Sequence, residues 1–590
     1  MDKKVKQILE TEFDIPSDEG PDKVLPLAEA IKQNIHPGQQ IHMGMATDAA
    51  VREIIRQFYG TTPGFTLIAE FPFFGPLNLI HCGLVEKIIC AGVGEGRKPR
   101  PSPTINKALR ENKLQIESYS LASFIQRLMA GAIAGFMPTV SLAGSTMAES
   151  HTHSFKMIDD PFDSGRKVGV IKGINPDISI MHAWAADRSG NAIVLPHHFT
   201  AEETWGAWAS RSGAVLTTER IVSTDFIRKH NILVNIPQYM VRSVSLAPLG
   251  AHPEGIMNWG FCEFDAYEYD YDFIDARQDA VKNGKLDEWI REWILDCPCE
   301  EDYLHKLGPE KIAFLRGKAN SDHWKWQAAA KAENISASEH YVPRERMVVM
   351  ASRKIVEKVI ERDYKTILSG GGVASLSAWL GHRNLRKQGH DAEIVVGSGQ
   401  IGFTPLPGDP FITNFTSMAT CKMITNGVNC YQVFIGGENK RSLSVLGCAQ
   451  IDKFGNINSA QVPTAKGNIY LTGAGGGGDA CKAREVMVVI EQSRQRFVEK
   501  VSYITSSGEP ITTLVSTLGI FEKLGDDQEL VLTGYFYNPK MPSAEEAIRH
   551  VKDNCGWDLK ISPQVKQLPE PTVEELIRLR LLDPDGEYIT

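Results

Sequence analysis

The segment IHMGMATDAAVREIIRQF (residues 41–58) changes its hydrophobic pattern at Gly44. Before this glycine, a short apolar run predicts a buried strand. After it, apolar residues return at helical spacing, at Ala50, Ile54 and Phe58. A strand, a glycine turn and a helix in this order are the repeating unit of an open α/β sheet.

The same unit recurs along the chain. Four further apolar runs fit strands buried on both faces of a parallel sheet: FTLIAEF (65–71), KIICAGV (87–93), KVGVIKG (167–173) and DISIMHAWAAD (177–187). The second half restarts with YKTILSGGGVASLSAWLGHRNL (364–385), followed by AEIVVGSGQIG (392–402). We therefore predict an α/β protein with helices on both faces of open sheets.

One internal repeat divides the chain into two lobes. ISIMHAWAADRSGN (178–191) and SLSVLGCAQIDKFGN (442–456) both end an apolar strand with Asp-x-x-Gly-Asn. These residue types dominate turns on their own, but here the preceding strand repeats as well. We predict related lobes at 1–260 and 341–590, joined by a helical connecting region at 261–340. Its acidic aromatic run, EFDAYEYDYDF (263–273), is interpreted as a solvated face.

Composition excludes several classes of protein. A length of 590 residues exceeds what one core usually holds, and a net charge of -9 argues against a general nucleic-acid binder. The 10 cysteines lack metal-ligand spacing, so we predict reduced thiols, no metal and a cytoplasmic location. The charged N-terminus does not fit a signal peptide, and no apolar stretch is long enough for a membrane span.

Two glycine segments are candidate ligand sites. The run Gly473–Gly478 follows the strand-like NIYLT, and glycines there can aim successive N–H groups into a cavity. A flexible surface turn is the alternative. Gly370, Gly371 and Gly372 follow YKTILS and could lie beside phosphates in the same way.

An ordered set of motifs resembles the family I coenzyme A (CoA) transferases, in particular the glutaconate CoA-transferase branch with its alpha-type and beta-type halves joined. The first half is similar to the alpha-type half through AGSTMAES (143–150), DDPFDSG (159–165), the segment ending at Asn191, and HPEG (252–255). The second half is similar to the beta-type half through SGGGVASLSAW (369–379), LGCAQIDKFGNIN (446–458), LTGAGGGGDA (471–480) and PTVEELIRLRLLDPDG (571–586).

The resemblance implies a reaction with CoA thioesters. An acyl-CoA gives its acyl group to an enzyme glutamate, CoA attacks that anhydride to form an enzyme thioester, and a second carboxylic acid collects the CoA. Each step passes through a tetrahedral oxyanion, which backbone N–H groups can stabilise. The resemblance also implies a homo-oligomer, with acyl-CoA and a carboxylic acid or water as its partners.

The catalytic glutamate of the family is where this sequence departs from the pattern. The family carries it in Glu-x-Gly after a strand, and the matching residues here are Gly397, Ser398 and Gly399. Glu393 falls inside the strand, and Glu438 precedes the LGCAQID strand, so neither is placed to substitute.

Glu95 is the best remaining nucleophile, because it lies in a glycine loop after a strand beside Arg97, Lys98 and Arg100. An ordinary loop charge paired with these bases is the alternative. We predict that Glu95, Ser398 and Gln450 are catalytic. The predicted CoA-binding or substrate-binding residues are Arg97, Gly370, Gly371, Gly372, Gly397, Gly399, Gly402, Gly475, Gly476 and Gly477.

Two other functions stay open. Relatives of this architecture open a cyclic CoA thioester with water, which needs a general base rather than a nucleophile. Histidines qualify by residue type, namely His81, His151, His153, His182, His197 and His198, although His182 is expected to be core. A non-catalytic CoA-ester sensor is the third possibility, but the sequence has no evident basic helix-turn-helix.

Overall fold

The first lobe is built on a parallel sheet of seven strands. The computed structural model describes the chain except residues 97–99, 163–164, 195–201, 259, 320–321, 439, 465–466 and 527. The described strands of this lobe are β1 (Gln40–Met43), β2 (Phe65–Ile68), β3 (Val85–Cys90), β4 (Gln115–Ser118), β5 (Phe136–Thr139), β6 (Phe155–Asp159), β7 (Lys167–Lys172), β8 (Ile178–Ala183), β9 (Ala185–Asp187), β10 (Ala192–Ile193), β11 (Ala214–Thr218), β12 (Ile221–Val222) and β13 (Val241–Leu246). The main sheet has the order β13-β11-β8-β1-β2-β3-β4.

Helices follow most of these strands, as the sequence predicts. They are α1 (Lys3–Glu12), α2 (Leu27–Asn34), α3 (Asp48–Phe58), α4 (Gly75–His81), α5 (Pro103–Arg110), α6 (Leu121–Ile133), α7 (Thr146–Ser150), α8 (Glu202–Ala209) and α9 (Thr224–Lys229). Residues 41–58 form β1, the turn at Gly44 and α3, with Ala50 and Ile54 fully buried. The run KVGVIKG is also a strand, but β7 pairs antiparallel with β5 and β6 in a separate small sheet.

A helical region connects the lobes. It comprises α10 (Tyr271–Lys282), α11 (Leu286–Ile290), a π-helix (Arg291–Leu295), α12 (Glu300–Leu307), α13 (Pro309–Lys318) and α14 (His323–Ala332). The interpretation of 263–273 as a solvated face is wrong for residues 267–270. Tyr267 and Tyr269 are 0% and 1% exposed, because their rings supply apolar area to the core. Asp270 lies between His252 and Lys311, at 3.3 and 3.0 Å.

The second lobe has a mixed sheet of ten strands. The described strands of the whole lobe are β14 (Thr366–Ser369), β15 (Glu393–Val396), β16 (Gln400–Ile401), β17 (Met423–Ile424), β18 (Ser442–Leu446), β19 (Gln450–Ile451), β20 (Ile457–Asn458), β21 (Gln461–Thr464), β22 (Gly467–Tyr470), β23 (Glu485–Ile490), β24 (Ile511–Ser516), β25 (Gly519–Glu522), β26 (Val531–Tyr535) and β27 (Ile561–Gln567). Two pairs of them, β19 with β20 and β21 with β22, form separate small sheets. The order is β17-β16-β15-β14-β18-β23-β24-β25-β26-β27, with a parallel centre from β15 to β24.

The helices of this lobe cover both the sheet and the junction with the first lobe. They are α15 (Pro343–Arg362), α16 (Val373–Lys387), α17 (Phe415–Thr420), a π-helix (Asn429–Ile435), α18 (Gly477–Ala480), α19 (Ala544–Asp553) and α20 (Val573–Leu582). The segment 364–385 therefore forms β14, a glycine turn and α16, as predicted.

The repeated Asp-x-x-Gly-Asn segments have the same structure in both lobes. Each closes a hairpin, between β9 and β10 and between β19 and β20. The Asp187 carboxylate accepts hydrogen bonds from the backbone N–H of Asn191 at 2.9 Å and its side-chain amide at 2.8 Å. The Asp452 carboxylate accepts the equivalent bonds from Asn456 at 3.0 and 3.1 Å. Two related lobes account for this correspondence.

The lobes share a hydrophobic core and a polar contact. One cluster contains Ile89 and Leu128 of the first lobe together with Val488 of the second. Beside it, the Asn106 amide donates to Tyr470 O at 2.9 Å, and Tyr470 N–H donates to Asn106 Oδ1 at 2.8 Å. Asn106 thus satisfies both backbone groups of a buried residue in the other lobe.

We predict that Asn106→Ala weakens the junction, because it leaves the buried N–H and C=O of Tyr470 without their partners. The expected loss in the free energy of unfolding is about 3 kcal/mol, measured by denaturant unfolding. Asn34→Ala is the matched control, since the Asn34 amide bonds only Ala30 O in its own helix. It should cost less than about 1 kcal/mol. Equal losses for the two variants would contradict the importance of the junction bond.

Candidate active site

Two predicted glycine turns lie side by side at one edge of the second sheet. Ser369, the last residue of β14, pairs with Val396 of β15 and Val445 of β18. Because these strands are parallel, the residues that follow them meet at the same edge. Gly370 and Gly397 therefore lie on neighbouring strand ends, where open α/β sheets bind their ligands.

The glycine segment 473–478 lies between the lobes and not on an outer surface. Gly475 N–H donates to Ala91 O, and Gly475 O accepts from Leu121 N–H, both at 2.9 Å. Gly92 pairs with Gly473, at the end of β3. A side chain on Gly92 would begin 2.6 Å from Thr472 O, so only glycine permits this approach. The segment thus fits against the strand ends of the first sheet.

Part of the segment is more regular than the sequence predicts. Gly473 and Gly475 have φ of +91° and +51°, the left-handed backbone that glycine allows. Gly477 and Gly478, however, begin α18. Gly477 N–H donates to Ala474 O at 3.1 Å, and no described residue accepts a hydrogen bond from Gly476 N–H. Gly476 N–H is therefore one of the backbone donors of this segment that the described residues leave for a ligand.

Asp479 holds the end of this segment against the first lobe. Its carboxylate accepts hydrogen bonds from Ser120 Oγ and Ala122 N–H, both at 2.9 Å, and Ser141 provides a further bond. Burial raises the pKa of Asp479 to about 6, although these bonds lower it. Asp479 is thus a buried acid next to the glycine segment.

Tyr431 lies where the two glycine turns of the second lobe meet. A Cβ built on Gly397 would be 1.8 Å from Tyr431 Oη, and one built on Gly476 would also be 1.8 Å from it. The hydroxyl is therefore in contact with both glycine backbones. We call Gly397, Ser398, Tyr431 and residues 473–479 the junction site.

Buried polar atoms without partners adjoin Gly397. Ser398 is 5% exposed, and its hydroxyl has no hydrogen-bond partner in the described part of the chain. Gln400 is fully buried, and the same holds for both atoms of its side-chain amide. Since buried polar groups are normally hydrogen-bonded, these side chains are available to a bound polar ligand.

The remaining predicted glycines have structural reasons to be glycine. Gly399 and Gly402 have φ of +96° and +71° in the turns around β16. Gly372 has φ of +69° at the start of α16, whereas a side chain on Gly371 would meet open space. Binding of CoA by these residues stays a prediction.

Glu95 is buried in an ion pair in the first lobe. Its two carboxylate oxygens accept hydrogen bonds from Ser102 Oγ at 2.6 Å and Arg277 Nη1 at 2.7 Å. Arg277 also donates to Asn78 at 2.8 Å, and it lines a cavity walled by aromatic rings of α10 and α11. A carboxylate held this way is a poor nucleophile. Its catalytic role stays a prediction, and it now requires that Arg277 release it.

Gln450 is fixed within its own hairpin. Its amide oxygen accepts from Asn458 at 3.0 Å, and its NH₂ group donates to Gln495 O at 3.0 Å. Glu393 lies at the start of β15, as expected, with Lys422 and Arg386 as its partners. Arg97 lies outside the described residues.

The candidate histidine bases have structural partners. His182 is in β8 between Thr217 and Glu219, at 2.8 and 2.9 Å, and is buried as expected. His151 bonds Ser118 O at 2.8 Å, and burial lowers its pKa. Two others approach acids, with His81 at 2.8 Å from Asp287 and His153 at 3.2 Å from Glu117. His197 and His198 lie outside the described residues.

Glu70, Tyr431 and Asp479 were not predicted from the sequence. Glu70 lies two residues after β2 and is fully buried, and Asp479 directly follows the glycine run. A search for acids next to strand ends and glycine turns would have found both. No sequence pattern indicates Tyr431, because its position depends on a π-helix that no motif predicts.

Within the described part of the chain, no helix combines the length and apolar character needed to cross a bilayer. Among the same residues, no cluster of three or more histidine, cysteine or acidic side chains could hold a metal ion.

Comparisons with known proteins agree with this architecture. A family model described as Coenzyme A transferase matches residues 24–247. One of the two chains of the glutaconate CoA-transferase of Acidaminococcus fermentans is 28% identical over 50% of this protein and 94% of its own length. The other chain of the same enzyme is 24% identical over 42% of this protein and 96% of its own length.

A solved structure matches almost the whole chain in fold. The acyl-CoA transferase YdiF of Escherichia coli O157:H7, in a thioester complex with CoA, superposes with a TM-score of 0.61. The alignment covers 95% of this chain and 96% of that chain at 15% identity.

The fold and the junction site define an α/β protein of two open-sheet lobes that meet at a glycine-lined edge. With the ordered motifs and the matching relatives, they make the chain similar to the coenzyme A transferases.

The raised pKa of Asp479 predicts a dependence of stability on pH. The unfolded carboxyl has a pKa of 3.8, and the folded one about 6. The folded state therefore binds the proton more tightly. This contribution to stability is complete below about pH 4 and is lost as the pH rises through about 6. Between about pH 4 and 7, the wild type should lose about 2 kcal/mol relative to Asp479→Asn.

Denaturant unfolding of both proteins at several pH values measures this difference. Asp225→Asn, on the exposed helix α9, is the matched control for the loss of one negative charge. A difference between the wild type and Asp479→Asn that stays constant over this pH range would contradict the prediction.

Proposed function

We propose that this protein binds an acyl-CoA thioester at the junction site and transfers its CoA to a second carboxylic acid. The observation that supports this most is the position of the segment 473–478, between the lobes and next to the end of β15. A thioester carbonyl placed there would face Gly476 N–H, whose free donor suits a developing oxyanion.

The acyl-CoA and its acceptor acid are proposed as partners in line with the relatives, one of which is named for glutaconate. Gly370, Gly371 and Gly372 at the start of α16 are proposed to contact the CoA moiety, because a helix N-terminus favours phosphate. The cytoplasmic location and the homo-oligomer stay predictions of the same kind.

A second candidate, hydrolysis of a CoA ester or opening of a cyclic one, has an observation in its favour. The resemblance places Gly397 where the family carries its glutamate, and Tyr431 leaves no room for a longer side chain there. Glu95, the predicted replacement, is held by Arg277 and Ser102. Without a nucleophilic carboxylate, water can attack the polarised carbonyl directly.

We predict that the purified protein forms acetyl-CoA from acetate when it is given glutaconyl-CoA or another substrate from an acyl-CoA panel. Chromatography of the CoA esters and free CoA measures this, with and without acetate. Acetyl-CoA formed only with the protein supports transfer. Free CoA released without any acid would overturn transfer in favour of hydrolysis, and tight binding without turnover would overturn both.

The nucleophile is identified in the same reactions. Hydroxylamine or borohydride trapping followed by mass spectrometry locates any modified carboxylate. Modification of Glu95 would confirm the predicted nucleophile. Transfer that continues in Glu95→Gln, with Glu95 unmodified in the wild type, would contradict it. Glu438→Gln is the matched control, because Glu438 is an exposed turn residue.

A further inference from the structure

The Tyr431 side chain occupies the space in which a catalytic glutamate at position 397 would begin. Its Oη and Cζ would lie 1.8 and 2.2 Å from a Cβ on Gly397, and 1.8 and 2.5 Å from a Cβ on Gly476. The position of this one hydroxyl group therefore requires glycine in two separate segments, at 397 and at 476.

The backbone around Tyr431 holds the ring in this place. It belongs to the π-helix Asn429–Ile435, a form often found at functional sites. On one side, the Cys430 thiol contacts Val396 O at 3.3 Å. On the other, Gln432 donates to Ser141 Oγ of the first lobe at 2.8 Å. The residues that flank Tyr431 therefore fix it to β15 and to the opposite lobe.

The Tyr431 hydroxyl is a donor, not a nucleophile. Burial, followed by the nearby Cys430, Asp479 and Glu70, raises the pKa of Tyr431 well above its ordinary value. The phenol therefore keeps its proton at neutral pH. Tyr431 is 7% exposed, and its Oη lies against the backbones of Gly397 and Gly476. A protonated hydroxyl in this position is suited to donate to a ligand oxygen.

The Tyr431 hydroxyl lies against the glycine segment. Its Oη touches Gly476, whose N–H is one of the free donors of the run. Two neighbouring donors, one phenolic and one from the backbone, form the arrangement that stabilises a developing oxyanion. Ser398, one residue beyond Gly397, adds a second buried hydroxyl, which has no partner among the described residues.

We propose that Tyr431 is a catalytic residue, whose hydroxyl donates a hydrogen bond to the thioester carbonyl oxygen as it becomes an oxyanion. This rests on the proposed function, because it assumes that a thioester binds at the junction site. No covalent bond to Tyr431 forms. When water attacks, the C–S bond breaks, and the products are the carboxylic acid and CoA. When an acceptor carboxylate attacks, CoA thiolate leaves a mixed anhydride, then attacks the acceptor's carbonyl carbon and expels the donor acid as a carboxylate. The phenol keeps its proton throughout.

The test uses Tyr431→Phe, which removes the hydroxyl and keeps the ring. The expected result is a roughly 10²- to 10³-fold lower kcat with KM changed less than about threefold. Tyr364→Phe is the matched control, since the buried Tyr364 hydroxyl donates to Glu485 at 2.8 Å, away from the junction site. Its kcat should equal that of the wild type. An unchanged kcat in Tyr431→Phe would overturn the proposal.

A spectroscopic measurement separates this inference from the proposed function. Binding of an acyl-CoA labelled with ¹³C at the carbonyl should lower the C=O stretching frequency in the wild type, and Tyr431→Phe should reverse part of that shift. A reversal without turnover would reject the enzyme function and keep the hydrogen bond. An identical frequency in both proteins would reject the hydrogen bond even where turnover is observed.

A second pair of variants tests the geometry itself. Gly397→Glu should not react through its new carboxylate, because Tyr431 blocks that side chain. Gly397→Glu combined with Tyr431→Ala opens the space. When labelling with acyl-CoA and borohydride is carried to its end point, the double variant should carry a modified side chain at position 397 about tenfold more often. The end point depends on access to the carboxylate and not on the rate that loss of the hydroxyl lowers. Equal modification of two folded variants, compared by their melting temperatures, would show that Tyr431 does not occupy the space.

Discussion

The whole arrangement depends on one backbone contact between the lobes. Gly475 pairs with Ala91 and Leu121 of the first lobe, and Asp479 holds the N-terminal end of α6 through Ser120 and Ala122. These bonds bring a segment of the second lobe across to the strand ends of the first. Without them, each sheet would present its own ligand edge to solvent, and no site would be shared.

Residue types explain why this contact is possible. Backbones can pair across two lobes only where side chains do not intervene, and Gly92 and Gly473 meet this condition. The cost is a carboxylate buried at Asp479, which three hydrogen-bond donors only partly stabilise. Because this acid is buried at the lobe contact, the stability of the contact depends on the protonation state of Asp479.

The fold could largely be predicted from the sequence, whereas the candidate site was predictable only in its backbone. The strand-turn-helix units and the repeated Asp-x-x-Gly-Asn turns depend on residues close in sequence, and both are confirmed. The small sheet that contains β7 was not predicted, because an apolar run alone does not tell a parallel from an antiparallel partner, and β7 pairs antiparallel with the neighbouring β6 and β5. Glycine runs indicate turns, and those at 397 and 473–478 do meet. Side-chain states were not predictable, because Glu95 resembles a free loop carboxylate until Arg277, 182 residues away, proves to hold it.

The structure gives a reason for glycine at position 397 that the sequence around it does not show. Taken alone, it suggests that a nucleophile has been lost and nothing gained. If Gly397 matches the family's glutamate, as the resemblance implies, the proposed role of Tyr431 replaces a carboxylate that attacks with a phenol that donates a hydrogen bond. Such an exchange keeps oxyanion stabilisation, which is usually the larger part of catalysis, and gives up the covalent intermediate. The attacking group must then come from a substrate or from water. The acceptor that enters the junction site would therefore decide between transfer and hydrolysis.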